Sequence, residues 1–335
     1  MSTSGTVGNT VISVQQLIDH GARRAGKLAE ELTNEQIMSA KTSLYYVLSN
    51  MANRGIQYWC INKVVQGLYQ EQYIYDMPVG TVDVLNANYR TVTRVTTGMF
   101  ASSGNAANAY DGNVDTICQQ TSPNGYIGIS NGTGNNIYVA TVGILAGTSG
   151  SFNIDIQWSD DNITWNTLYS PGATTWVDGK WYYYDLEPSQ SKSLWRIKEK
   201  GGGTLAVREL VWGIAPTEIP MARLNRDDYT NLPNKNFTAD QPLLFWFDRT
   251  IPQPSMYIWP VPSSPFPQIE LWRHRQIMDV GDLSGELEIP QRWYLAVQNM
   301  LAHQMSMELP GVQSDRIGYL EQQAEKTWNQ AEQEE

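Results

Sequence analysis

The chain has 335 residues, 41% of them hydrophobic, and a net charge of -11 from 23 Lys and Arg against 34 Asp and Glu. Two domains with a core each are the expectation, and disorder is expected only at the ends. The acidic balance argues against gripping nucleic acid through its phosphates, which takes clustered Lys and Arg. Met1 to Thr10 carries neither a charged n-region nor an apolar h-region, and no run of about 18 apolar residues follows, so neither a signal peptide nor membrane insertion is expected. Cys60 and Cys118 are too few for a disulfide framework or a zinc site and read as reduced packing residues.

A first helix is expected over Val11 to Leu28, with Ser13 as N-cap. The second is more sharply marked. Thr33 and Gln36 form a T-x-x-Q capping box, Ile37, Leu44, Tyr45, Leu48 and Met51 form an apolar stripe, and Gly55 is placed as the stop. Val64 to Asp76 and Val82 to Val84 then read as strands around a turn at Pro78 and Gly80.

From about Thr91 to Gly213 the chain reads as all strand, an insert of roughly 120 residues, large enough to own a core. Phe152, Ile154, Ile156 and Trp158 alternate with polar residues, the period of a half-buried strand. Asp160-Asp161-Asn162 makes the turn and Thr164 to Tyr169 returns. Further strands are expected at Tyr138 to Leu145, Trp181 to Leu186, Leu194 to Lys198 and Leu205 to Trp212, the last two joined by Gly201-Gly202-Gly203. Short strands at regular spacing with turn signals between them imply a β-sandwich.

After the insert an irregular stretch runs to Pro242, and Met256 to Trp259 and Ile269 to Arg273 read as the strands of a hairpin. Pro290 opens a helix to Glu308, ended by Pro310-Gly311, and Ser314 caps a last helix before an acidic tail, Glu332 to Glu335. The fold class is therefore α+β: a helical domain with a small antiparallel β-sheet, 1–90 plus 214–335, interrupted by a jelly-roll β-sandwich at 91–213.

The order of elements in the arms resembles the head-to-tail adaptor proteins of short-tailed bacteriophages, the tail accessory factor and tail tubular protein A group. The residues that carry the resemblance are Thr33 to Gly55, Tyr73 to Val79 with its Met77-Pro78 turn, Met256 to Pro262, and Ile289 to Tyr294 opening a helix through Leu301-Ala302. It implies a structural virion protein of the neck and tail, assembled in the host cytoplasm. Twelve copies would form a ring that docks under the portal protein, meets the downstream tail nozzle or tail tubular protein, bears on a tail fibre, and lets DNA slide through without sequence-specific binding. Trp293, Met300, Met307, Leu320 and Trp328 are the candidates for docking on the portal; Met300, Met305 and Met307, on one helix, read more readily as core.

The insert resembles the discoidin or coagulation factor type C modules and the related galactose-binding carbohydrate modules. Ala109 to Thr116, the W-S-D-D-N-I-T-W run ending at Trp165, Trp195-Arg196-Ile197 and Arg208-Glu209-Leu210 carry that resemblance. It implies a structural calcium held by Asp111, Asp115, Thr116 and Glu209, hard oxygen ligands of the kind calcium takes; Asp111 and Asp115 read equally as side chains that bond their own turn. It also implies sugar binding at one end of the sandwich, with Tyr126, Trp176 and Trp181 as candidates that core packing explains as well.

Nothing in the chain suggests an enzyme or a required cofactor. His20, His274 and His303 are scattered, with no metal-binding spacing among them, and no nucleophile elbow, P-loop or dinucleotide fingerprint is present. The expectation is a portal-to-tail adaptor carrying an outward sandwich that binds glycans or braces fibres; the alternative is a carbohydrate-binding adhesion protein of a phage tail, fastened by its helices.

Overall fold

The computed structural model describes residues 12–54, 58–132 and 134–333. The chain divides into two compact units, one of Met1–Asn62, Gly80–Asp83 and Arg273–Glu335, the other of Lys63–Val79 and Val84–Trp272. This division differs from the expected boundaries at 90/91 and 213/214, which fall inside paired strands: Thr81–Arg94 runs antiparallel to Ala206–Pro220, with Arg94 opposite Gly213 and Arg90 opposite Glu218.

The first unit is helical. Helix α1, Val14–Ala25, begins at a complete capping box: the Gln16 amide donates to Ser13 Oγ (3.2 Å) and the Ser13 amide to Gln16 Oε1 (3.0 Å). Val11 lies outside the described residues. Gly26, at φ 97°, stops the helix in the left-handed conformation that glycine adopts without strain. Helix α2, Asn34–Arg54, opens on the expected box of Thr33 and Gln36; the proposed stop, Gly55, lies outside the described residues. Helices α4, Tyr294–Glu308, and α5, Ser314–Glu332, complete the unit, α4 entered through a 3-10 turn that Pro290 precedes. Leu17, Ile18, Leu44, Met51, Val297, Leu301 and Trp328 fill the core between these helices. Tyr45 departs from the expected apolar stripe: it is 45% exposed, because the buried side of α2 is set by Ala40, Leu44, Val47, Leu48 and Met51.

The second unit is built of sheet, with a short helix, α3, at Arg226–Thr230 and a 3-10 turn at Ala106–Ala109. A five-stranded antiparallel sheet runs in the order Asn166–Trp176, Gly150–Ser159, Leu194–Glu199, Tyr126–Ser130, Met99–Ala101. The expected alternation holds: Ile154, Ile156, Trp195 and Ile197 are buried inward, where they meet Val142, Ile144, Val207 and Trp212 of the seven-stranded sheet. Two sheets with a shared apolar interior make a β-sandwich. The Gly201 to Gly203 turn is fixed from within: their three amides donate to the buried carboxylate of Glu199 at 2.8, 2.8 and 3.0 Å.

Two expectations about strands are corrected. Met256 and Ile269 do not belong to one hairpin: Ser255–Trp259 pairs with Leu244–Asp248 and Ile74–Asp76, whereas Gln268–Arg275 lies in the seven-stranded sheet between Ile61–Gly67 and Thr81–Arg94. The single strand expected over Val64 to Asp76 is broken by a turn at which Glu71 takes φ 62°. Charges tie strands of the seven-stranded sheet to one another. Arg90 Nη1 meets Asp185 at 2.7 Å, and Lys63 Nζ meets Glu270 at 2.8 Å and Asp185 at 3.4 Å.

Candidate functional site

The Ala109 to Thr116 turn gathers oxygen atoms. Asp111 Oδ1 accepts from the Asn113 amide (2.9 Å), Asn113 Oδ1 accepts from the Asp115 amide (3.1 Å), and Gly112 takes φ 79°. The Thr116 hydroxyl then sits among four oxygens: the Asn113 carbonyl at 2.8 Å, Asp111 Oδ2 and Oδ1 at 2.9 and 3.0 Å, and the Asn108 carbonyl at 3.3 Å. One hydroxyl proton cannot serve four acceptors.

Glu209 adds to the imbalance. Its carboxylate is fully buried, and neither oxygen has a hydrogen-bond partner among the described residues. Burial pushes its pKa up to about 7, and the neighbouring Asp111 carboxylate adds to the rise; the Gly112 amide, out of hydrogen-bonding geometry, and Arg94 oppose it. An orphaned buried carboxylate beside an oxygen-rich turn fits a hard cation. The fit is through Asp111, Thr116 and Glu209. Asp115 is not drawn into this set; it lines a cleft elsewhere on the unit, where its charge acts on Arg208. Among the described residues no three Asp, Glu, His or Cys side chains converge as a metal cluster, so carbonyl and hydroxyl oxygens would have to complete any coordination.

Of the three glycan candidates, the structure separates Tyr126 from the two tryptophans. Trp176 is fully buried, its ring 4.7 Å from Phe152 and stacked on Tyr182, so it offers no face to a sugar. Trp181 is 6% exposed, stacked on Tyr183 at 5.2 Å, with its indole against the bare Cα of Gly67. It borders a cleft of about 690 Å³ lined also by Tyr69, Leu145, Asp178 and Arg208. Arg208 is committed there: Nε and Nη2 hold Asp178 at 2.9 and 3.1 Å, and Nη1 donates to the Val114 carbonyl.

Tyr126 lies on the outer face of the five-stranded sheet. One row across that face, set by strand register, reads Phe100, Gly128, Arg196, Gln157, Thr167; the next reads Tyr126, Lys198, Asp155. Gly128 leaves room for the ring of Phe100, since a Cβ there would come within 2.7 Å of Phe100 Cζ. Trp165, at the end of the Asp160 to Thr164 turn, closes over the row. That turn is rigid: Asp161 Oδ1 accepts from the Ile163 and Thr164 amides at 2.9 and 2.7 Å, which lowers its pKa to about 2. Phe100, Tyr126 and Trp165 form a half-exposed aromatic cluster with ring centroids about 6 Å apart. The Arg196 guanidinium lies 3.8 Å from the Trp165 centroid and 4.8 Å from that of Tyr126. Its Nε donates to Gln157 Oε1 (2.9 Å), and Gln157 Nε2 donates to Thr167 Oγ1 (3.2 Å). Sequence reasoning singled out Tyr126 and missed Phe100, Trp165 and Arg196 as its companions. The alternation Trp195, Arg196, Ile197 carried the missing signal, because it sends Arg196 to the face opposite the core.

The proposed docking residues are mostly interior. Trp293, Leu320 and Trp328 are at most 3% exposed, and Trp293 meets Trp328 edge to face at 5.2 Å. Met300 packs half-buried against the same core, so of the five only Met307, 53% exposed, presents a free side chain. Exposed apolar groups of the helical unit lie elsewhere, notably Met38, Tyr45 and Tyr46 on α2.

No family model and no curated protein matches the chain. Solved structures do match part of it. The family 32 carbohydrate-binding module of AlyQ, in complex with 4,5-unsaturated mannuronic acid, is 17% identical at a TM-score of 0.32, over 36% of this chain and 98% of its own. A pectin-binding carbohydrate-binding module is 17% identical at 0.31, over 37% and 94%. The family 32 module of C. perfringens NanJ, in complex with galactose, is 17% identical at 0.29, over 36% and 96%.

Proposed function

We propose that the β-sandwich of this chain is a non-catalytic glycan-binding module and that the platform around Tyr126 is its binding face. One observation carries this reading: Phe100 and Tyr126 stand partly exposed on the five-stranded sheet, Trp165 of the adjoining 160–165 turn closes over them, and a hydrogen-bonded row of Arg196, Gln157 and Thr167 lies beside them. Sugars present apolar C–H faces and a dense edge of hydroxyls, so a protein that holds them needs flat aromatic surface and polar groups fixed in place. Strands fix those groups better than loops do. In the same proposal Asp111, Thr116 and Glu209 would hold a structural calcium that stiffens the 109–116 turn, with no part in catalysis. Titration calorimetry tests the platform: Tyr126→Ala and Trp165→Ala should each weaken glycan binding about tenfold, or ~1.4 kcal/mol, with unfolding temperatures unchanged within a few degrees. Unaltered affinity in both variants would remove the platform from the account.

The second reading is the head-to-tail adaptor, and the exposed Met38, Tyr45 and Tyr46 on α2 favour it, since an apolar stripe on an otherwise polar helix face suits assembly. In that reading the helical unit joins a ring of twelve between portal and tail nozzle in the virion neck, and the sandwich decorates its outside, meeting glycans or a tail fibre. The two readings are compatible, the helices fastening what the sandwich uses. Native mass spectrometry of the protein mixed with its portal protein tests it: a ring complex supports the adaptor, and a lone monomer in the mixture refutes it.

A further inference from the structure

Resting on the glycan-binding reading, we infer that the platform selects carboxylated sugars, the uronic acid residues of an acidic polysaccharide, with Arg196 as the group that takes the carboxylate. The charges on this face are unbalanced in one direction. Asp155 is its acid, and Lys200 Nζ already holds it at 2.6 Å, with Ser170 as a further donor. Arg196 and Lys198 project from the same face of one strand, and among the described residues neither has a carboxylate partner. Arg196 faces no acid across the strand and Lys198 faces only Asp155, which Lys200 already holds, a local excess of cations in a chain of net charge -11.

Arg196 is also prepared for one geometry of ligand. It is 9% exposed, so most of its hydration is already lost to the rings of Trp165 and Tyr126. That desolvation lowers its pKa, the mark of a charge the fold leaves short of compensation. With Nε engaged by Gln157, the plane of the guanidinium is fixed and its two terminal nitrogens remain for an acceptor. A planar fork of two N–H donors matches the two oxygens of a carboxylate. Stapling the 160–165 turn to the sheet would need only an apolar or cationic stem; it would not need a fixed fork. The rings beside it supply the stacking surface for the sugar that carries the acid.

The test uses the full-length protein in calcium-containing buffer and measures affinity for polygalacturonate, polymannuronate and hyaluronan, each beside its carboxyl-reduced, neutral form, with dextran sulfate as a further polyanion. The expected result is at least tenfold tighter binding of one polyuronate than of its reduced form, a preference that falls as salt rises. Arg196→Met should abolish that preference, and Lys198→Gln, a more exposed change, should reduce it severalfold, so misfolding of the first variant leaves the second to decide. Equal binding of acidic and reduced polymers would overturn carboxylate selection and leave glycan binding standing. Binding of dextran sulfate as tight as that of the best uronate would overturn it too, in favour of a general polyanion face. Failure of the folded protein to bind any of these polymers would overturn this inference, and binding to neutral glycans alone would show that the platform itself survives.

Discussion

Replacing Glu209 by Gln should stabilise the metal-free protein at alkaline pH, although it removes a charged group from the core. The carboxylate is buried with no well-formed hydrogen bond among the described residues, and burial pushes its folded pKa up to about 7 from an ordinary 4.5. A carboxyl whose pKa is raised by folding is favoured in its neutral form, so the cost of ionising it is absent below pH ~4, grows between about 4.5 and 7, and is complete above that window. Ionising the buried group in the folded chain therefore costs ~3 kcal/mol relative to the unfolded one. For a unit of this size that is about 6 to 12 °C in unfolding temperature. Thermal unfolding in EDTA should therefore show Glu209→Gln more stable than the wild type at pH 8 and level with it at pH 4. Added calcium should reverse the order at pH 8, because the ion stabilises only the chain that offers it an ionised ligand. A variant less stable than the wild type in EDTA at both pH values would refute the reasoning, and an absence of any calcium effect on the wild type would remove the metal.

Trp328→Ala should cost the helical unit ~3 to 5 kcal/mol in urea unfolding, for a side chain 1% exposed and set against Trp293, whereas Met307→Ala should stay within about 0.5 kcal/mol. Gly67→Ala should destabilise the second unit by ~1 to 3 kcal/mol, because the added Cβ would stand 2.6 Å from Cβ of Trp181; unchanged stability would mean the strand shifts freely. Trp181→Ala, by opening the cleft beside Leu145 and Arg208, should lower stability without altering sugar affinity, which a titration beside the Tyr126→Ala variant would read directly.

Local signals in the sequence were reliable where the physics is local. The Ser13 cap and the Thr33–Gln36 box form because donor and acceptor lie three residues apart, and the alternation from Phe152 to Trp158 survives because a strand has a period of two. Partners distant in sequence were not legible. Ser255–Trp259 finds Leu244–Asp248 rather than its expected mate, and no periodicity names a strand's neighbour. The limits of the insert blurred for a related reason: Thr81–Arg94 and Ala206–Pro220 run without a break through residues 91 and 213, so no turn marks the passage. Tryptophan misled in both units, since the residue type that suits a sugar platform or an interface suits a core equally. Trp176, Trp293 and Trp328 went inside, and Trp165, named only as the end of a motif, is no more than partly buried.

The central claim is that the sandwich binds glycans through the face that bears Tyr126, Trp165 and Arg196. A glycan array probed with the wild type and with Trp165→Ala, both shown to be folded by circular dichroism, tests it most directly. The account predicts a defined set of bound glycans, rich in uronic acids, whose signals fall about tenfold in the variant. An array that stays blank for the wild type, or that the variant reproduces at full strength, would contradict it.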